Sequence, residues 1–119
     1  MPVPPVTWTY QARCLRLIDG DTLHVEVDLG FRSHIRTPVR LLGVNAPELS
    51  TPEGQAALTW VAGWMAGAGV SAALTIQSAH PGDYSGDKYG RWLATVWRSD
   101  GACLNDDLLA SGHAVPMKG

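Results

Sequence analysis

The sequence has little of what would mark several special classes of protein. It has no stretch of about eighteen apolar residues, the length that a membrane-spanning helix needs. Its first residues lack the basic and then apolar layout of a secretory signal. We therefore expect no membrane segment, and a location in the cytoplasm is favoured, while secretion after processing stays open. The two cysteines, Cys14 and Cys103, lie far apart without metal-ligand spacing; a disulfide is possible, but two reduced thiols are favoured.

An excess of positive charge is also missing. Nine Lys and Arg stand against eleven Asp and Glu, which gives a net charge of -2. This balance excludes the global positive field of a histone-like protein, so any site for a polyanion has to be local. Five arginines fall in the first third of the chain, and their planar forks suit phosphate, although ordinary surface charge explains them equally well. They are Arg13, Arg16, Arg32, Arg36 and Arg40.

What the chain does have is an ordinary globular composition. It has 119 residues, 45% of them hydrophobic, with 13 Gly and 8 Pro scattered along its length. This is enough for one packed core and too little for two. We predict a single domain over residues 1–119 and assume a monomer.

Hydrophobic patterning predicts five strands. Residues alternate strictly from Thr22 to Leu29, which indicates a half-buried strand. The run from Cys14 to Ile18 predicts a strand before it, and Val39 to Val44 predicts a strand that is covered on both faces. Two later strands are predicted, Ala72 to Gln77 and Trp92 to Trp97.

Two helices are predicted between and after these strands. Ser50-Thr51-Pro52-Glu53 is typical of a helix start, and a continuous apolar stripe follows it at three- and four-residue spacing. A shorter helix begins with Asn105 as its polar cap and ends at Gly112. Five strands with a helix after the third are compatible with a small OB-type barrel, an α+β fold. The apolar stripe comprises Ala57, Trp60, Val61, Trp64, Met65 and Ala68.

Three polar clusters interrupt the apolar runs where strands begin or end. They comprise Asp19 and Asp21, then Arg40 through Glu48, then Asp87 through Arg91. Together they would supply oxygen ligands for a divalent cation, two guanidinium groups for a phosphate, and a carboxylate to activate water. These are the groups that phosphodiester hydrolysis needs.

The three clusters resemble the staphylococcal nuclease family, and they occur in the order found in that family. The matching blocks are Ile18-Asp19-Gly20-Asp21-Thr22, Val39-Arg40-Leu41-Leu42-Gly43-Val44-Asn45-Ala46-Pro47-Glu48 and Asp87-Lys88-Tyr89-Gly90-Arg91. The resemblance runs from about Cys14 to Ala114. It implies a five-stranded OB-fold nuclease that uses Ca²⁺ and cleaves DNA and RNA with little sequence preference.

The resemblance also implies a role for each residue of the site. Arg40 and Arg91 would bind the scissile phosphate, and Glu48 would act on the attacking water. The metal would be held by Asp21, Asn45 and the Ala46 backbone carbonyl, with Asp19 in its outer shell. Lys88 and Tyr89 would lie along the nucleotide groove.

Two departures from the family pattern change these expectations. Asn45 occupies a position where the best-known members have Asp, so we expect weaker Ca²⁺ binding and a nuclease that works at higher metal concentration. The chain stops at Gly119, so the third helix of larger relatives is expected to be absent.

Other interpretations stay open. Asp21 could only close a turn, Glu48 could only cap the helix, and Arg40 could only form a buried structural ion pair. As a whole, the chain could be an OB-type module that binds nucleic acid without cleaving it, or a purely structural domain.

Overall fold

The computed structural model describes residues 1–67, 73–79 and 92–117. The elements, in chain order, are β1 (Thr9–Asp19), β2 (Thr22–Gly30), β3 (Ser33–Leu41), β4 (Val44–Asn45), α1 (Pro52–Ala66), β5 (Ala73–Ser78), β6 (Trp92–Trp97), α2 (Leu104–Ser111) and β7 (Val115–Pro116).

Five of these strands form a closed barrel in the order β1-β2-β3-β6-β5. Neighbouring strands are antiparallel except β3 and β6, which run parallel. The short strands β4 and β7 pair separately beside the barrel. The predicted α+β fold, a five-stranded OB-type barrel with one helix after the third strand and a short helix near the end, is confirmed.

The barrel interior is filled by the apolar positions that the alternation predicted. Leu23, Val25 and Val27 of β2 point inward and are buried. Side chains from all five barrel strands and both helices join them in one hydrophobic cluster. In the described residues no helix is long and apolar enough to cross a membrane.

Helix α1 begins as its sequence predicts. The Thr51 hydroxyl accepts a hydrogen bond from the Gly54 amide at 3.0 Å, and Pro52 follows in the first turn. Val61 and Trp64, from the predicted stripe, are buried against the barrel, while Ala68 lies outside the described residues. The cap fixes where the helix starts relative to the segment that precedes it.

Two strand boundaries differ from the prediction. The run from Val39 to Val44 is not one strand, because β3 ends at Leu41 and Gly43 turns the chain with a φ of +76°. The strand also extends back to Ser33 through mainly polar, exposed residues, whose pattern does not predict a buried strand. Strand β1 begins at Thr9 rather than at Cys14, since its first half pairs with β5.

The predicted cap of the second helix is wrong. Cys103 is the N-cap and makes no side-chain capping bond, while Asn105 lies one residue inside the helix and is buried. Its amide accepts from the Val96 amide at 3.0 Å and donates to the carbonyls of Leu42 at 3.0 Å and Ala94 at 3.1 Å. Asn105 therefore connects α2 to β6 and to the turn after β3.

Both cysteines are half-buried free thiols, and burial raises the pKa of each.

Asn105→Ala is expected to lower the free energy of unfolding by about 2–4 kcal/mol, because buried backbone groups lose their partner at about 1–3 kcal/mol each. Urea unfolding of purified protein measures this. Gln55→Ala, which removes an exposed amide from α1, is the control and should change stability by less than about 0.5 kcal/mol. Equal effects of the two substitutions would contradict the role given to Asn105.

Candidate active site

Asp21, Arg40 and Asn45, which belong to the first two polar clusters, meet at one end of the barrel. Strand pairing sets Thr22 opposite Arg40, so the turn between β1 and β2 lies beside the end of β3. The Leu41 amide donates to the Asp21 carbonyl at 2.8 Å, which fixes the two segments to each other. The chain then turns at Gly43 and returns through β4, which brings Asn45 to the same place.

A buried ion pair forms the centre of this cluster. Arg40 Nη2 lies 3.2 Å from Asp21 Oδ2, and each side chain is 8% exposed. Removal of two charges from water is costly, so the pair requires further hydrogen bonds on both sides. The structure supplies these bonds.

The Arg40 guanidinium holds the strands around it through its other bonds. Nη2 also donates to Asn45 Oδ1 at 3.0 Å, and Nη1 donates to the Val44 carbonyl at 3.3 Å and lies 3.2 Å from the Met117 sulfur. A guanidinium presents five donors in a rigid planar fork, so it can reach acceptors on separate segments, whereas the three donors of a lysine share one nitrogen. Arg40 therefore links β3 to β4 and to the segment after β7.

The Asp21 carboxylate is fixed by two further donors. Its Oδ1 accepts from the Thr22 hydroxyl at 3.0 Å, and its Oδ2 accepts from the Ala46 amide at 2.9 Å. With Arg40 this makes three hydrogen bonds, whereas an ionised carboxylate offers about four acceptor positions. Ala46 thus contacts Asp21 through its backbone N–H, while the role expected from the sequence concerned its carbonyl.

Asp19 lies beside Asp21 in the turn. Its Oδ1 accepts from the Asp21 amide at 3.0 Å, and the side chain is half-buried. Burial raises the pKa of the Asp19 carboxyl, and its contact with the Asp21 carboxyl raises it further. The turn therefore holds two carboxyl groups side by side, and that of Asp21 contacts Arg40.

Glu48 lies on the exposed segment between β4 and α1. Its side chain makes no hydrogen bond or ion pair within the described part of the chain, so it faces solvent. Its carbonyl accepts from the Thr51 amide at 3.0 Å and from the Thr51 hydroxyl at 2.7 Å. The helix packs so closely here that a Cβ on Gly54 would overlap the Glu48 carbonyl. The start of α1 therefore sets the position of Glu48.

The third cluster lies outside the described residues. Arg91, Lys88 and Tyr89 all fall there. Of the two arginines expected to bind phosphate, the structure describes Arg40 alone.

The oxygens of this cluster are the kind that a hard cation prefers. Among the described residues no three His, Cys, Asp or Glu side chains group into a metal site. Asp21, Asp19 and the amide oxygen of Asn45 nevertheless form a set of oxygen donors that suits Ca²⁺ in kind. Asp21 Oδ2 and Asn45 Oδ1 both point at Arg40 Nη2, so a cation bound to these two oxygens would compete with the guanidinium.

Sequence reasoning missed three residues that shape the site. Thr22 follows Asp21 directly, and its position at the start of an alternating strand could have revealed it. Nothing in the sequence indicates a role for Gly54, because its importance lies in its close approach to the Glu48 backbone. Met117 is 77 residues from Arg40 along the chain, and nothing in the sequence connects the two.

Comparisons with known proteins agree with this arrangement. The sequence model of the family described as staphylococcal nuclease homologue matches residues 38–118, more than half of the chain. A protein of Escherichia coli O157:H7 named "Uncharacterized endonuclease" is 28% identical over 102 residues, which cover 86% of this chain. A second protein of that name, from Escherichia coli, has the same identity and coverage. The match spans 58% of the length of these two curated relatives.

The family match covers Arg40, Asn45, Ala46 and Glu48, and the barrel with its two helices is consistent with it. The chain therefore belongs to the staphylococcal nuclease homologue family.

Proposed function

We propose that this chain is a nuclease that hydrolyses phosphodiester bonds of DNA, and of RNA, with Ca²⁺ as its cofactor and without sequence specificity. The observation that carries the proposal is the convergence of Asp21, Arg40 and Asn45 at one end of the barrel. Two curated relatives with endonuclease in their names support it.

The cation would be held by Asp21 and Asn45, with the Ala46 carbonyl as a further ligand and Asp19 in the outer shell. When bound, Ca²⁺ would neutralise phosphate charge and polarise the scissile linkage. Asn45 contributes a neutral oxygen where a carboxylate would add a charge, so the site is expected to need a higher Ca²⁺ concentration.

Arg40 would exchange partners when a phosphate enters. Its Nη2 is held by the Asp21 carboxylate and the Asn45 amide oxygen. A cation that binds these two oxygens would release the guanidinium, which could then bind the phosphodiester group, whose single negative charge is shared by two oxygens. A guanidinium that moves onto the phosphate would stabilise the charge that accumulates in the transition state. Arg91 is proposed as its counterpart on the same phosphate.

Glu48 would act as the general base. Its exposed carboxylate has no partner within the described residues and is therefore available to hydrogen-bond a water molecule. A carboxylate within reach of water can take its proton as the oxygen attacks phosphorus. Lys88 and Tyr89 are proposed to contact the nucleotide beside the scissile bond.

The lack of sequence specificity follows from what these residues contact. A cation and two arginines grip the phosphate backbone, which is the same in every sequence. Neither group reads the edge of a base.

A second function is favoured by the same ion pair. Arg40 is already engaged with Asp21 and Asn45, and one carboxylate of the expected metal site is an amide here. A chain in which this pair never opens would bind nucleic acid without turnover. The two functions differ in whether cation-dependent products form.

The first test is cleavage of a labelled single-stranded DNA by purified protein across a Ca²⁺ titration. Cleavage is expected at millimolar Ca²⁺ and should be abolished by EDTA. Glu48→Gln should lower kcat by about 10²–10⁴-fold with little change in KM, because Glu48 contacts water rather than phosphate.

Glu53→Gln, which removes an exposed carboxylate from the first turn of α1, is the matched control and should cleave at the wild-type rate. Binding without cleavage by the wild-type protein would leave the binding module as the function. Undiminished cleavage by Glu48→Gln would contradict the role of Glu48.

Asn45→Asp tests the cation site. The added carboxylate should lower the Ca²⁺ concentration for half-maximal cleavage by about tenfold, because ligand charge tunes calcium affinity. Thr59→Glu adds the same charge to the exposed face of α1 and should leave the Ca²⁺ requirement unchanged. An unchanged requirement in Asn45→Asp would remove Asn45 from the ligand set.

Gly54→Ala tests whether the start of α1 positions Glu48. The new methyl group would overlap the Glu48 carbonyl, so this segment must shift, and kcat is expected to fall about tenfold or more. Gly63→Ala is a matched control in the same helix, because its Cβ would meet nothing within 4 Å. The control should keep full activity and gain about 0.5–1 kcal/mol of stability. Equal activity in both variants would show that Glu48 does not depend on this contact.

A further inference from the structure

The β2–β3 hairpin extends beyond the body of the barrel. Strand β3 pairs with β6 only from Val39 to Leu41, so among the described strands the stretch from Ser33 to Pro38 has β2 as its one neighbour. Residues 28–36 are all exposed. We call residues 28–36 the hairpin arm.

The tip of the hairpin arm carries a large apolar side chain that packs on nothing. Phe31 is fully exposed, and it is the single phenylalanine of the chain. Phe31 and Arg32 both have positive φ, +53° and +60°. Glycine and asparagine suit such two-residue turns, whereas bulky residues adopt this conformation at a cost. The fold therefore gains nothing evident from Phe31, which points to a role in binding.

Arginines lie in the hairpin arm and on the sheet beside it. Strand register sets Arg13, Glu26 and Arg36 side by side, and both arginines bind the one carboxylate, at 2.8 and 3.4 Å. The Arg13 hydrogen bond, with the charge of Arg36, lowers the pKa of Glu26. This triad keeps one net positive charge.

Two more arginines add to that charge. Arg16 on β1 and Arg32 at the tip are exposed and make no ion pair within the described residues. Asp28 lies in the hairpin arm and partly offsets them, with His34 at 4.0 Å from its carboxylate. The face is therefore locally positive, although the whole chain has a net charge of -2.

We propose that the hairpin arm is a second contact site for nucleic acid, separate from the cleavage site, in which Arg32 and Arg36 bind backbone phosphates and Phe31 stacks on a base. Charge complementarity selects this partner, because guanidinium forks match phosphate and every base offers a face to an aromatic ring. The inference rests on the proposed function in that it assigns the same substrate to both sites.

The distance between the two sites sets a minimum length for the substrate. Gly30 at the tip lies eight residues along β2 from Thr22 at the cleavage site, a distance of roughly 27 Å in an extended strand. At about 3.4 Å per stacked nucleotide, a strand of about eight nucleotides spans both sites. Shorter strands can occupy only one of them.

The test is fluorescence anisotropy with labelled single strands of twenty and six nucleotides in EDTA, where no cleavage interferes. Phe31→Ala should weaken binding of the twenty-nucleotide strand by about tenfold. It should thereby remove the higher affinity of this strand over the six-nucleotide strand, which cannot bind both sites at once. Phe31→Trp, which keeps an aromatic ring, should restore the affinity. Arg32→Ala should reduce the dependence of log affinity on log salt by about one unit.

Val6→Ala is the control, since it removes an exposed apolar side chain elsewhere. Wild-type affinity for the long strand in both Phe31→Ala and Arg32→Ala would overturn the proposal, and so would an equal loss for the short strand. A wild-type dimer that Phe31→Ala dissociates in sedimentation would assign the tip to self-association instead. If the protein binds the longer strand more tightly through Phe31 but cleaves no DNA in the presence of Ca²⁺, the second contact site is supported and the proposed nuclease activity is contradicted.

Discussion

The ion pair between Asp21 and Arg40 is the interaction on which the site depends. It is almost completely buried, so its stability relies on hydrogen bonds from every segment around it. Thr22 and the Ala46 amide hold the carboxylate, and Asn45 shares the guanidinium. Because these groups come from the β1–β2 turn with the start of β2, from the end of β3, and from β4 with the residue after it, the pair fixes three parts of the chain in one place. The same groups are those that a cation and a phosphate would use. Structural support and proposed chemistry therefore share one set of atoms, and in the proposed function a phosphate bound by Arg40 would open the pair.

Close packing by small residues completes the site. Gly20 lies in the turn beside Asp21. A Cβ on Gly20 would come within 2.9 Å of the Ala46 side chain, which precedes α1, and within 3.0 Å of the Ala57 side chain in α1. Gly54 allows the same close approach between the start of α1 and the Glu48 backbone. Contacts this tight leave little freedom, since real Cβ atoms rarely approach so closely. The helix thus sets the distance between the ion pair and Glu48 without any direct hydrogen bond between them.

Local patterns predicted the parts of this structure that depend on local physics. Alternation identified β2, and the cap at Thr51 identified the start of α1, because periodicity and capping are properties of neighbouring residues. The end of β3 was misplaced, since an apolar run does not reveal that Gly43 adopts a left-handed turn. The residue type of Asn105 favours a cap, whereas its amide bonds to β6 and to the turn after β3, which no local pattern reveals. The partner of Arg40 also depends on contacts between distant residues. The sequence indicates that a buried arginine needs a partner, but only the register of the barrel strands brings Asp21 to it.

In the proposed function, Arg40 exchanges Asp21 and Asn45 for a phosphate. The most direct measurement of this exchange is a crystal structure of the Glu48→Gln protein with Ca²⁺ and a short single-stranded DNA, in which the linkage stays intact. We expect the Arg40 guanidinium to bind phosphate oxygens, while the oxygens of Asp21 and Asn45 contact the cation. If Arg40 keeps its bonds to Asp21 and Asn45 while the DNA phosphate lies elsewhere, the ion pair is structural and the proposed exchange is contradicted.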